Sequence, residues 1–266
     1  MITLAEYLKT ATAYDPRVGL YVGDRRKESH IRNREFLRRV GAIPGVTVSS
    51  VESLSEQTGK VLTYRSDHEP RKIPGEITKL FQCNCRQWSQ ERRRYLPAGR
   101  DFRGYEAFKA VYEPGPIEKV ADVYLNFSLN THTSRKRIFK YLKGADTITA
   151  KHGGDRLDYS ISREEFAGDL RDHRFVICPP GQGLDTFRLW DSLCCGCVAV
   201  VRDGTVPEMP LPIIRVKDFR QWGVFRDPDY VSETWAKMLN TEYNFEMLTM
   251  DWWVEEITRT FNSVQE

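Results

Sequence analysis

Residues 175–201, FVICPPGQGLDTFRLWDSLCCGCVAVV, constrain this chain more than any other stretch. They open on a short apolar run, Phe175 to Cys178, which reads as a buried strand bounded by a Pro/Gly turn. In that turn Gly181 and Gly183 lift the steric bar on unusual backbone angles. Asp185 then stands where a helix N-cap belongs, and Phe187, Leu189, Trp190, Leu193 and Cys194 recur at helical spacing. Gly196 ends the helix, and the run Cys197 to Val201 is a second buried strand. A strand, glycine turn, helix and strand in this order predict a parallel sheet, with ligands at the carboxyl ends of its strands.

The turn also carries chemistry. Free backbone N–H groups and the positive end of the helix dipole meet there, which makes an anion site. Arg188 falls in the first helical turn and adds a charged donor for phosphate. Asp191, about one turn further on, places a carboxylate where ribose hydroxyls can be held. Pro180, Gly181, Gly183, Asp185, Thr186, Arg188 and Asp191 are therefore the candidate nucleotide contacts. The dinucleotide fingerprint is excluded because Thr186 takes the place of its third glycine, and a P-loop is excluded because no Gly-Lys-Ser/Thr follows.

This run closely resembles the nucleotide-sugar-binding half of exostosin-type glycosyltransferases, whose pattern is roughly C-P-x-G-x-G-x-D-T-x-R-x-W-E-x-L-x-x-G-x-x-P-V-V. Cys178, Pro179, Gly181, Gly183, Asp185, Thr186, Arg188, Trp190, Leu193 and Gly196 match it. Asp191 replaces the usual glutamate and Ala199 the usual proline. A weaker likeness extends over residues 121–219. The resemblance implies an α/β, GT-B-like fold: two small Rossmann-like domains with parallel sheets facing across a cleft. It further implies a nucleotide-sugar donor on the C-terminal domain and a glycan or glycoprotein acceptor on the N-terminal one. The expected reaction is metal-independent, inverting transfer from a UDP-sugar with no resident cofactor; xylose is the first donor sugar to test.

Composition sets outer limits. The chain has 266 residues, enough for one large or two small domains. Forty basic against 37 acidic residues leave a net charge of +3, too mild to argue for nucleic acid. No stretch approaches the ~20 apolar residues of a membrane span. The first residues lack a positive start and an apolar core, so a cytoplasmic location is expected. The six cysteines do not form a zinc ribbon, and Cys194 and Cys197, though spaced C-x-x-C, straddle an apolar helix end and a core strand. They read as buried small hydrophobes in a reducing compartment.

The remaining chain reads as two α/β stretches: an N-terminal acceptor-binding domain over residues 1–115 and a nucleotide-sugar-binding domain over 116–240. A C-terminal helix over 241–266 is expected to pack back on the N-terminal domain. In the first stretch, helices are predicted at 1–14 and 29–40, and strands at 17–24, 46–48, 60–66 and 77–82. Asp67, His68 and Glu69 follow the strand 60–66, and any one of them could serve as the base that deprotonates an acceptor hydroxyl. Arg92, Arg93, Arg94 and Arg100, interleaved with Tyr95, Phe102 and Tyr105, read as a solvated face, an acidic-acceptor grip or a single-strand RNA surface. That last option supports the alternative of a non-catalytic nucleotide-sugar or RNA-binding module.

In the second stretch, strands are predicted at 120–127 and 147–151 and helices at 135–143 and 162–173, the latter opened by a capping box at Ser162 and Glu165. Arg135 and Arg137 crowd a helix start, where cations are unfavourable without an anion. Lys151 and His152 end the strand beside it and complete the nucleotide-contacting set. Asp227 and Asp229 resemble a metal-binding D-x-D, but Asp229 is expected to cap a helix instead.

Overall fold

In a computed structural model, which describes residues 1–10, 30–50, 56–64, 73, 76–82, 92–100, 107–108, 111, 116–152, 161–218 and 220–263, two parallel sheets organise the chain. It opens with β1 (Ile2–Thr3), α1 (Leu4–Thr10) and α2 (His30–Gly41). The first sheet follows from β2 (Val46–Ser50), β3 (Gly59–Tyr64), β4 (Ile77–Gln82) and β5 (Arg93–Tyr95), ordered as in the chain. The predicted strand at 17–24 and the candidate bases Asp67, His68 and Glu69 lie outside the described residues.

The second unit runs β6 (Ala121–Phe127), α3 (Thr133–Leu142), β7 (Ile148–His152), α4 (Arg163–Asp172), β8 (His173–Cys178), α5 (Phe187–Cys194), β9 (Val198–Arg202) and β10 (Ile213–Val216). Its strands, all parallel, stand in the order β10-β9-β8-β6-β7. Both faces are covered, as parallel sheets require. Tyr124 and Val176 share one face, where Tyr124 meets Phe166 of α4. Val123 and Phe175 share the other, where Phe175 meets Phe225 and Trp235. Two parallel α/β units within one chain are the fold class the sequence predicts.

Several boundaries differ from expectation for local reasons. Thr133 rather than Arg135 opens α3, because His132 accepts a hydrogen bond from Ser134 N and caps it two residues earlier. Asp227 caps α6 (Pro228–Leu239) by accepting from Asp229 N, so the cap belongs to the first carboxylate of the D-P-D run. The last helical stretch is divided. A 3-10 turn at Phe245–Leu248 ends at Thr249, whose hydroxyl then caps α7 (Met250–Asn262). Strand β5 was not foreseen, since Arg93 and Arg94 hide its pattern. Ser162 does cap α4, accepting from Glu165 N at 3.0 Å.

The two chain ends cross between the units. At the N-terminus β1 pairs with β11 (Glu242–Tyr243), the Tyr7 hydroxyl donates to Cys194 O at 3.0 Å, and Tyr7 stacks on Phe245. Conversely, α7 packs against α2, and its Phe261 and Trp253 meet Phe81 and Tyr95 of the first sheet. Cys178, Cys194, Cys195 and Cys197 are buried free thiols, and burial pushes Cys178 and Cys194 up to about 12. Cys197 also makes polar contacts: its Sγ donates to Leu170 O at 3.0 Å and accepts from Lys119 Nζ at 3.3 Å.

Gly196 joins α1 to this core. Its φ of 68° is costly for any side chain, and a Cβ there would also strike Leu8. Replacing Gly196 with Ala should therefore destabilise the fold by about 2 kcal/mol or more, read from urea midpoints. The His173 imidazole is buried on Tyr124, with Nδ1 against Asp169 O and Nε2 unpartnered. Burial lowers its pKa below the ordinary 6.5, so the unfolded chain takes up the proton first. Stability is then full above pH 6.5 and declines as pH falls through the lowered value. The His173→Phe variant should show a flatter pH profile over that window.

Candidate functional site

Strands β6 and β8 lie side by side in register, so the turns leaving their carboxyl ends are neighbours. Arg135 ties these turns together. Its Nε donates to Pro180 O at 2.7 Å, one Nη to Pro179 O at 3.1 Å and the other to Ser128 O at 3.0 Å. The side chain is only 5% exposed, and its cation also lies over the Phe127 ring. Arg135 is thus a clamp on the backbone of the turn rather than a free donor.

The clamp explains one glycine. A Cβ on Gly181 would stand 2.9 Å from a terminal nitrogen of Arg135, so a bare backbone is needed for this approach. Neither Gly181 nor Gly183 has the positive φ expected of them. Gly181 N instead donates to Gly183 O at 2.9 Å, closing the turn.

Arg188 behaves differently. It projects from the first turn of α5 over Phe127 and Phe166, and its Nε is buried with no hydrogen-bond partner. Burial lowers its pKa, and burial together with Arg188 lowers that of Arg135 to about 9. Close by, the Ser128 hydroxyl is buried without a partner. The helix start adds to this deficit. Thr186, not Asp185, occupies the N-cap, no side chain caps the helix, and its first turn holds no acidic residue. Among the described residues, an uncapped helix start with an unpartnered guanidinium nitrogen in its first turn is a feature that favours an anion.

The two carboxylates of this region face the other unit. Asp185, 4% exposed, accepts from the Tyr95 hydroxyl at 2.6 Å, Ala98 N at 2.7 Å and Trp190 Nε1 at 2.9 Å. Burial raises its pKa, while these donors and Thr186 N pull the other way. Asp191 is 1% exposed and pairs with Arg100 Nε at 3.1 Å. The expected ribose carboxylate is therefore enclosed in protein contacts. Arg100 also lies over Phe108, and Arg92 donates to Ile77 O. Tyr95, Ala98 and Arg100 thus form a seam between the two units, while Arg92 and Arg94, half-buried, bond to backbone carbonyls of the first. Phe102 and Tyr105 lie outside the described residues.

The remaining candidates disperse. Lys151 bridges Glu165 and Asp169, both at 2.8 Å. His152 ends β7 beside Phe127 in the register. Arg137 is exposed and lines a separate cleft of about 650 Å³ with Tyr141, Asp218 and Arg220. Sequence reasoning missed Tyr95, Ala98 and Ser128, which lie up to 90 residues from their partners or within an unremarkable turn.

No family model matches the chain, and no curated protein matches it. A solved α1,3-fucosyltransferase aligns with 85% of this chain and 80% of its own, at 11% identity and a TM-score of 0.47. That likeness is too slight to assign the chain a family or a substrate.

Asp185→Asn keeps the volume but replaces one acceptor oxygen with an NH2 group that would face the Tyr95, Ala98 and Trp190 donors. It should cost about 2–4 kcal/mol, the scale of lost charge-assisted bonds at a buried group. The measurement is a denaturant midpoint, and a change under about 0.5 kcal/mol would remove Asp185 from the seam.

Proposed function

We propose that the protein is a glycosyltransferase whose second unit holds the diphosphate of a nucleotide sugar at residues 179–186. The observation that carries this reading is Arg188: its buried Nε has no hydrogen-bond partner among the described residues, and it stands in the first turn of a helix that no side chain caps. The resemblance of residues 178–201 to exostosin-type enzymes supports a UDP-sugar as donor, with xylose first among the sugars to test. Glycan or glycoprotein hydroxyls are the acceptor class.

Transfer breaks the bond between the sugar anomeric carbon and the diphosphate oxygen, so negative charge grows on the leaving group. In this reading Arg188 and the amides at the start of α5 stabilise that charge, as fixed donors that need little reorganisation. Arg135 supports them by fixing the Pro179 and Pro180 carbonyls and by adding its charge. Cations supplied by the protein make a metal ion unnecessary for this step, and single displacement then inverts the anomeric centre. The acceptor proton passes to a base, for which Asp67, His68 and Glu69 stay the candidates.

Calorimetry with UDP tests the reading. Arg188→Gln should weaken binding about tenfold to a hundredfold, the worth of one charge-assisted hydrogen bond. The same variant should melt no lower than the parent in the absence of ligand, because it removes an uncompensated buried charge. Undiminished affinity would exclude Arg188 from the site. Hydrolysis of one UDP-sugar should persist in EDTA, and turnover seen only with added manganese would overturn the metal-free step.

A further inference from the structure

Phe127 is the last residue of β6, is wholly buried, and has a cation from each of two helices over its ring. Arg135 of α3 lies 5.3 Å from the ring centroid and Arg188 of α5 lies 5.7 Å from it. Phe139 of α3 meets the same ring in a T-shaped contact at 6.2 Å. The two arginines depend on this ring to different degrees. Arg135 is fixed independently by its bonds to Ser128 O, Pro179 O and Pro180 O. Arg188 has a buried Nε with no hydrogen-bond partner among the described residues, and its cation is held by Phe127 and, at 6.0 Å, by Phe166.

From this arrangement we infer that Phe127 is a positioning residue for the diphosphate site: its ring holds the Arg188 guanidinium in place without neutralising it. The inference rests on the diphosphate reading above. A carboxylate could fix a guanidinium as firmly, but it would cancel the charge and occupy the N–H groups. A ring draws the cation by its quadrupole and supplies no oxygen acceptor, so the N–H donors stay available to a phosphate. Burial, which lowers the Arg188 pKa, strips water from the charge and strengthens the ring contact beyond its worth at a surface. Without the ring the long side chain is free to turn elsewhere, and a ligand would have to recover it at a cost in rotamer freedom. Arg135 would keep its three carbonyls, and the turn after β8 its clamp. The effect of Phe127 on a ligand therefore runs through Arg188, and Phe127 itself touches no ligand in this scheme.

Fluorination tests this, because it weakens the quadrupole of the ring while changing its shape far less than truncation does. Monofluoro-, trifluoro- and pentafluorophenylalanine placed at position 127 should weaken UDP binding stepwise in calorimetry well below the melting point of every variant. The loss should reach about tenfold at the pentafluoro end. Phe127→Leu, which removes the ring, should lose at least as much affinity, and its melting point should fall as well. In an Arg188→Gln background the fluorinated series should change affinity by less than about twofold, because the group that the ring positions is gone. Flat affinity along the series would overturn the inference. So would an equal loss with and without Arg188, which would leave the ring acting by packing or through Arg135. Absence of UDP binding by the parent protein would instead overturn the diphosphate reading itself, so the two failures are distinct.

Discussion

A buried guanidinium needs a counter-charge or a full set of acceptors, and Arg135 and Arg188 meet that demand in opposite ways. Arg135 satisfies its donors with three backbone carbonyls, two of them in the turn after β8. Those bonds make the turn rigid, and they require Gly181 to have no side chain. Arg188 is given nothing comparable, and the positive charge of Arg135 makes its position less favourable still. The second unit therefore carries an electrostatic cost at Arg188, in the helix that follows the carboxyl end of β8. That is the pattern expected where a ligand, rather than the protein, completes the set of charges.

The same helix separates its charges by direction. Arg188 points to Phe127 and Phe166, within the second unit, whereas Asp185 and Asp191 face Tyr95, Ala98 and Arg100 of the first. A single short helix thus carries an unpartnered guanidinium nitrogen on one side and the fastening between units on the other. Because α1 packs on the second unit and α7 on the first, the units are also held at both chain ends. The glycine turn before α5 therefore sits between fixed supports, which is what preorganised electrostatics would need.

What could be read from the sequence was what is local. The apolar runs of β8 and β9, the helical period of α5 and the stop at Gly196 each lie within a few residues, and all appear where predicted. Ser162 and Glu165 fix the start of α4 for the same reason. What failed was what depends on distant partners. Asp185 has the chemistry of a cap, and nothing nearby shows that Tyr95 and Ala98 will claim its oxygens from about 90 residues away. Arg92 to Arg94 look solvated because arginines usually are, yet Arg93 is 2% exposed in a strand of the first sheet.

That error in reading the arginines has a physical moral for the site. Basic residues interleaved with aromatics suggest an anionic partner only while their charges are uncommitted. Here they are committed: Arg92 to Ile77 O, Arg94 to Arg93 O and Arg100 to Asp191. Arg188, by contrast, offered a single cation in an apolar helix and drew attention only through its neighbours in the glycine turn. The informative quantity is the balance between a group's charge and the partners its own fold supplies, which is a property of the folded arrangement. By that measure Arg188, whose buried Nε has no partner among the described residues, is left short at the turn, whereas Arg92, Arg94 and Arg100 are answered by carbonyls and a carboxylate.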